Sequence, residues 1–234
     1  MISFIVPAYN EEHGLAATLK AMHAAARSLQ EPYELVVADD ASTDRTAAIA
    51  REQGATVVTV AHRQIAATRN AGARAACGER LIFVDADTLV NEAVVRAALQ
   101  AMRSGAAGMR FDAPAPLYAR LMLRVIMRGF RATGLAAGCF MFCTREAYNA
   151  TGGFDERYFG AEELVMSRAL KRCGRFVVLK QTVTTSARKL RTHSTREVLV
   201  MMAGMARRGT RALKQREGMD FWYAERRKDP GQGG

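Results

Sequence analysis

Leu81-Ile82-Phe83-Val84-Asp85-Ala86-Asp87 is the stretch whose reading decides the fold of this chain. A short apolar run with no polar alternation describes a strand covered on both faces. The run then breaks into two carboxylates separated by one alanine. Side chains two apart in extended backbone point to the same side, so Asp85 and Asp87 are expected to converge beyond the carboxyl end of the strand. Such a pair suits a hard cation, Mg2+ or Mn2+, which takes few protein oxygens and completes its shell with phosphate and water. A competing local reading makes Asp87 or Thr88 the cap of the next helix.

The same pattern recurs upstream. Ile2-Ser3-Phe4-Ile5-Val6 reads as a strand stopped by Pro7, Leu35-Val36-Val37-Ala38 as a second ending in Asp39-Asp40, and Thr56–Val60 as a third. Helical patterns over residues 12–29, 43–53, 64–76 and 91–102 separate and follow these strands. Alternating buried strands and helices predict a doubly wound, mostly parallel α/β sheet. In such sheets ligands bind beyond the carboxyl ends of the strands. Tyr9-Asn10-Glu11, Asp39-Asp40 and Asp85-Asp87 all fall at that edge.

Downstream, strands are expected over 107–111, 138–143 and 176–179, and helices over 117–131, 145–150, 161–172 and 197–215. A length of 234 residues with 49% hydrophobic content suits one α/β domain with elaborations. Residues 1–190 are expected to form that domain, in two halves that divide at about residue 105. A helical extension over 191–228 and a disordered tail over 229–234 complete the expectation.

The net charge of +11 favours a polyanionic partner without choosing among nucleic acid, anionic headgroups and phosphorylated substrates. Aromatic residues make up only 7%, against the interleaved aromatics and bases of a nucleic-acid groove. Cys77, Cys139, Cys143 and Cys173 show no metal-ligand spacing and read as reduced, mostly buried thiols. No leader and no membrane-spanning run is visible, which predicts a cytoplasmic protein that meets a membrane, if at all, at its surface.

Asp39 or Asp40 can accept from a uracil imide or a ribose hydroxyl, and two adjacent unpaired acids call for a ligand or cation to offset their repulsion. Tyr9 offers a face to a base, and Glu11 a carboxylate to a ligand or helix start. Arg69 can fork onto phosphate oxygens or stand as an ordinary helix arginine.

The ordered series PAYNEE, VVADDASTD, ATRNAGA and FVDAD, continuing into GCFMF, GGFDERYF and AEELVMSRALKRCG, resembles the family 2 glycosyltransferases over roughly residues 1–190. The resemblance implies the glycosyltransferase A-type fold and a UDP- or GDP-sugar donor. It places Pro7, Ala8, Tyr9 and Glu11 around the nucleoside, Asp39 on the base with Asp40 beside it, and Arg69 near the diphosphate. It gives Asp85 to the donor sugar and ribose, and Asp87 to the metal. Gly138 and Cys139 would line the acceptor side, and Arg191 and His193 would lie near the diphosphate. Glu162-Glu163 stands where the family usually has Glu-Asp, and Val165 where it often has another acid. Glu163 is the expected base, with Glu162 as its substitute, in a single inverting displacement.

Arginines 120, 124 and 128 recur at helical spacing beside Leu117, Leu121 and Val125. Two readings stay open: a core-facing helix with a solvated stripe, the commoner case, or a helix on a membrane surface suited to a lipid-linked acceptor. Three rival functions also stay open: a sugar nucleotidyltransferase, which lacks its glycine loop here, a degenerate transferase that binds donor without turnover, and a basic nucleic-acid-binding protein.

Overall fold

The computed structural model describes residues 1–101, 103–112, 117–136, 138–188, 192, 196–197, 200, 213–219 and 223. The first half runs β1 (Ile2–Ala8), α1 (Leu15–Ser28), β2 (Tyr33–Asp40), α2 (Thr46–Glu52), β3 (Thr56–Val60), α3 (Ile65–Ala75), β4 (Arg80–Val84), β5 (Thr88–Leu89) and α4 (Glu92–Gln100). The second runs β6 (Ser104–Phe111), α5 (Leu117–Thr133), β7 (Phe140–Thr144), α6 (Arg145–Thr151), α7 (Glu162–Cys173) and β8 (Phe176–Thr185).

All eight strands join one sheet in the order β3-β2-β1-β4-β7-β6-β8-β5. β1 is parallel to β2 and β4, β2 to β3, and β6 to β8. β7 runs antiparallel to both β4 and β6, so the sheet is mixed at its centre. Apolar continuity reports burial on two faces but carries no strand direction, which the connections set.

Both faces are indeed covered. Phe4, Leu19, Val37, Ile82, Val94 and Phe140 share one core. Ile5, Val36, Leu81, Phe83, Met141 and Leu170 share the other. Alternate residues of each strand thus feed opposite layers.

Three boundaries differ from expectation for physical reasons. β6 starts at Ser104 rather than 107, because a Cβ on Gly105 would stand 2.3 Å from the Val177 carbonyl oxygen; close strand packing there demands small residues of poor strand propensity. β8 continues to Thr185 past the polar run Lys180-Gln181-Thr182: a register shift passes Lys180 and Gln181, and pairing with β6 resumes at Thr182 opposite Gly108. Thr88 enters β5, and Asn91 caps α4 instead, its Oδ1 accepting from the Val94 N–H at 3.0 Å; the capping role read for Asp87 or Thr88 is therefore corrected.

α3 lies closest to the sheet. Every residue from Ala66 to Ala73 is buried, and a Cβ on Gly72 would sit 2.6 Å from Ile5 Cγ2. This intimate packing carries Arg69 and Asn70 over the carboxyl edge. Asn70 holds the turn before α7: its Oδ1 accepts from the Phe154 N–H and the Tyr148 hydroxyl, and its Nδ2 donates to the Phe154 carbonyl. Gly153 adopts φ +86 there, and a side chain would meet Asn70 Oδ1 at 2.8 Å.

Cys139 and Cys143 are buried, whereas Cys77 and Cys173 are exposed, so only half of the thiols are interior. Among the described residues no helix is long and apolar enough to cross a membrane. The expected helix over 197–215 falls largely, and the tail over 229–234 wholly, outside the described residues, as do Arg191 and His193.

Candidate active site

The carboxyl edge opens into a cavity of about 560 Å³ whose wall includes Pro7, Ala8, Tyr9, Glu11, Asp40, Arg69, Asp85, Asp87, Gly138, Cys139, Glu162 and Glu163. Twelve of the residues singled out in the sequence thus share one space, drawn from the ends of β1, β2 and β4, from α3, from the start of β7 and from the start of α7.

Arg69 organises the acidic end. It is 3% exposed. Its Nη1 donates to Glu162 Oε1 at 2.9 Å, and its Nη2 donates to Asp85 Oδ1 at 2.7 Å and Glu163 Oε1 at 3.0 Å. The expectation that Arg69 faces a diphosphate gives way to this placement: its Nη groups are committed to three carboxylates. Burial disfavours the charged guanidinium, but Glu163, Asp85 and Glu162 together outweigh it and raise the pKa. Burial, and then the charge of Glu163, push the Glu162 carboxyl well above the usual carboxylate range, with Arg69 opposing them. Glu163 is the less buried of the pair, its side chain 13% exposed against 4% for Glu162. Ala161 enters α7 in left-handed backbone, φ 56, which turns both acids into the cavity mouth.

A second guanidinium faces the first strand. Arg188 Nη2 donates to both oxygens of Glu11 at 3.0 Å and stands 3.9 Å from Asp87 Oδ2. Glu11 and Arg188 lie 177 positions apart; Arg188 opens the basic run over 188–193, of which Arg191 and His193 are the residues expected near the site. Tyr223, part of an aromatic run over 221–223 expected to pack the C-terminus, lines the cavity, and its hydroxyl accepts from the Ile65 N–H at 3.4 Å.

The two acids after β2 divide their work. Asp40 accepts from the N–H groups of Arg63 and Gln64 at 2.8 and 3.1 Å and from the Thr68 hydroxyl at 2.9 Å. It therefore anchors the N-terminal turn of α3 and is not the unpaired acid expected. Asp39 is buried, and its Oδ1 has no hydrogen-bond partner among the described residues. A buried acceptor in that condition calls for a donor from outside. Nearby, the Arg63 guanidinium stacks 3.5 Å from the centre of the Tyr9 ring.

At the opposite end the wall changes character. Met109, Phe111, Leu123, Ile126 and Phe130, from β6 and α5, make it apolar. Gly138 is required to be glycine by φ +147 and by Met109 Cε, 2.3 Å from where a Cβ would stand. Burial drives the Cys139 thiol up to about 12, with Asp85 adding to it.

Five carboxylates (Asp85, Glu162, Glu163, Asp87 and Glu11) surround two guanidiniums. That excess of negative charge fits a divalent cation. Among the described residues no group of three or more His, Cys, Asp or Glu is set to hold a metal by itself; a cation on Asp85 and Asp87 would complete its shell from phosphate and water.

A mixed sheet with β7 reversed at its centre, and acids gathered at the carboxyl edge, define a glycosyltransferase A-type domain. The fold is shared with a mannosyltransferase from Pyrobaculum calidifontis, solved in complex with GDP-Man and Mn2+, at a TM-score of 0.66 and 21% identity over 89% of this chain and 64% of that one. Residues 3–116, just under half of the chain, match glycosyl transferase family 2. The 4,4'-diaponeurosporenoate glycosyltransferase of Staphylococcus aureus (strain MRSA252) is 33% identical over 176 residues, covering 65% of this chain and 46% of that protein. The undecaprenyl-phosphate 4-deoxy-4-formamido-L-arabinose transferase of Serratia proteamaculans (strain 568) is 33% identical over 93 residues, 37% of this chain and 28% of that protein. The chain thus spans between about a quarter and a half of the length of these curated relatives.

Proposed function

We propose that the protein transfers a glycosyl group from a nucleoside-diphosphate sugar to a lipid-type acceptor, with one inverting displacement and Glu163 as base. The observation that carries this reading is the meeting of Asp85, Asp87, Glu162 and Glu163 in one cavity that is acidic at one end and apolar at the other. The S. aureus and S. proteamaculans relatives are named for a carotenoid acid and a polyprenyl phosphate, both long apolar molecules. Those names support an acceptor of that class.

The residues divide as follows. Asp39 Oδ1 accepts an N–H of the base, and Tyr9 contributes its ring face once Arg63 is displaced. A divalent cation held by Asp87 and Asp85 would neutralise the charge that develops on the leaving diphosphate. Glu163 takes the proton of the acceptor hydroxyl or acid. The acceptor oxygen bonds to the anomeric carbon, and the bond from that carbon to the diphosphate oxygen breaks, its electron pair leaving with the diphosphate. Arg69 does not grasp substrate in this scheme; it fixes Asp85 and Glu163 at the two sides of the reacting carbon. Glu162, more deeply buried, supports that arrangement.

Glu163→Gln should lose about 10²- to 10⁴-fold in transfer while titration calorimetry still detects UDP or GDP. Turnover at the native rate would remove Glu163 from the role. Asp87→Asn should abolish the manganese dependence of nucleotide binding.

A second reading has one observation in its favour. Arg69 binds both Glu162 and Glu163, and a guanidinium on a carboxylate lowers its basicity. A protein that binds the donor without turnover would show nucleotide affinity in calorimetry but no release of sugar from any donor in a screen of nucleotide sugars.

A further inference from the structure

We propose that the outward face of α5 docks the protein on an anionic bilayer surface, with the apolar end of the cavity opening toward it. The proposal deepens the function above by naming where the acceptor is met, and it rests on that reading only for what the docking serves.

The helix has two apolar faces, only one of which is used by the fold. Met127 is buried, and Leu123, Ile126 and Phe130 line the cavity. On the other side Leu121 and Val125 are 59% and 63% exposed. These two are one turn apart and form a ridge. Arg124 and Arg128, also one turn apart and also exposed, form a second ridge beside it. Neither arginine makes an ion pair with a described residue. A solvated stripe has no use for exposed leucine and valine, and a core-facing stripe has no use for arginine between them. The mixture fits an interface where apolar side chains enter the acyl boundary and guanidiniums meet phosphate headgroups.

Ile126 joins the two faces. It lines the cavity and is also 37% exposed, so the apolar wall continues over the rim onto the outer ridge. An acceptor with an acyl or prenyl chain could pass from bilayer to cavity without its chain crossing water. The helix is too short and too charged to cross a membrane, so it would lie in the surface plane. An acidic protein partner would satisfy the arginines but would not explain this continuity with the cavity.

The test is flotation of the full chain with vesicles of phosphatidylcholine alone and of phosphatidylcholine with phosphatidylglycerol. Binding should be about tenfold or more stronger on the anionic vesicles, given roughly 1 kcal/mol for each arginine near such a surface. The exposed changes Leu121→Asp with Val125→Asp, and separately Arg124→Glu with Arg128→Glu, should each remove most of it. Arg27→Glu with Arg51→Glu, an equal charge reversal on α1 and α2, should leave binding nearly unchanged. No flotation, equal binding to both vesicles, or equal losses from the α5 and control reversals would each overturn the proposal. So would a dimer in solution that the Leu121 and Val125 changes dissolve, since the face would then belong to a second copy. UDP and GDP calorimetry runs beside it: vesicle binding without nucleotide binding would sink the proposed transferase and leave the docking intact.

Discussion

The two ends of the cavity are built on opposite principles. At the acidic end each side chain is held by another: Arg69 by three carboxylates, Glu11 by Arg188, Asp40 by the first turn of α3. At the apolar end Leu123, Ile126 and Phe130 hang from one helix and are held by no directional bond. The first end suits a ligand of fixed shape and charge, whose groups must meet theirs within a few tenths of an ångström. The second suits a long, apolar ligand recognised by bulk. Substitutions at the two ends should therefore fail in different ways, the first through stability and chemistry, the second chiefly through acceptor binding.

The largest expected effect on stability comes from Arg69→Met. Its removal leaves Asp85, Glu162 and Glu163 clustered around an apolar side chain. Breaking a buried ion pair by deleting one partner costs about 3–5 kcal/mol, and three acids share this one. A thermal melt at neutral pH should show a large drop, partly restored by Mn2+ if the acids can share a cation instead. A variant as stable as the native chain would show that the acidic end is not braced by its guanidinium.

How much of this was legible in the sequence differs between the ends as well. Strands β2 and β4 could be read because about four apolar residues end abruptly in acid, and β1 because a like run is stopped by Pro7 shortly before Glu11. Asp85 and Asp87 could be placed at the carboxyl edge from topology, whereas the Glu162-Glu163 pair joined them only through the family resemblance. Their mutual bonding could not be read, because Arg69 meets Glu162 across 93 positions, a distance that no periodicity spans. Asp40 was misread for a related reason: adjacent acids look alike in a sequence, and only the backbone shows that one caps α3 while the other keeps a bare oxygen. Arg188 stood in a visible basic run, but nothing local singled it out from Arg191 and His193 as the partner of Glu11. At the apolar end α5 was legible as an amphipathic helix, but which of its two apolar ridges turns inward depends on how the helix sits against β6 and β8.

A smaller effect separates the two glutamates of the acidic end. Glu162 has its pKa raised by burial and by Glu163, so the folded state holds that proton more tightly than the unfolded chain does. The stability it contributes is complete below the usual carboxylate pKa and is lost as pH rises toward the higher folded value. Glu162→Gln mimics the protonated acid and removes the titration. Its melting temperature should therefore gain on the native protein as pH rises from about 4.5 toward neutrality. Parallel curves across that range would mean that Arg69 keeps Glu162 ionised in the fold.

The smallest effect is expected at the apolar end, and it is the most informative about the contrast. Phe130 lies half-buried on α5, in the cavity wall. Phe130→Ala removes apolar surface already in partial contact with water, so the loss of stability should be about 1 kcal/mol, below that of a fully buried phenylalanine. Nucleotide affinity should not change, because the ring belongs to the apolar wall of the cavity and not to its acidic end. Transfer to an acceptor with an apolar chain should show a raised KM with kcat nearly intact, since bulk contacts are made equally in the ground and transition states. Transfer to a short, water-soluble acceptor should be indifferent to the change. If instead kcat falls for both acceptors, the apolar wall helps to align the reacting groups, and the division of labour between the two ends does not hold.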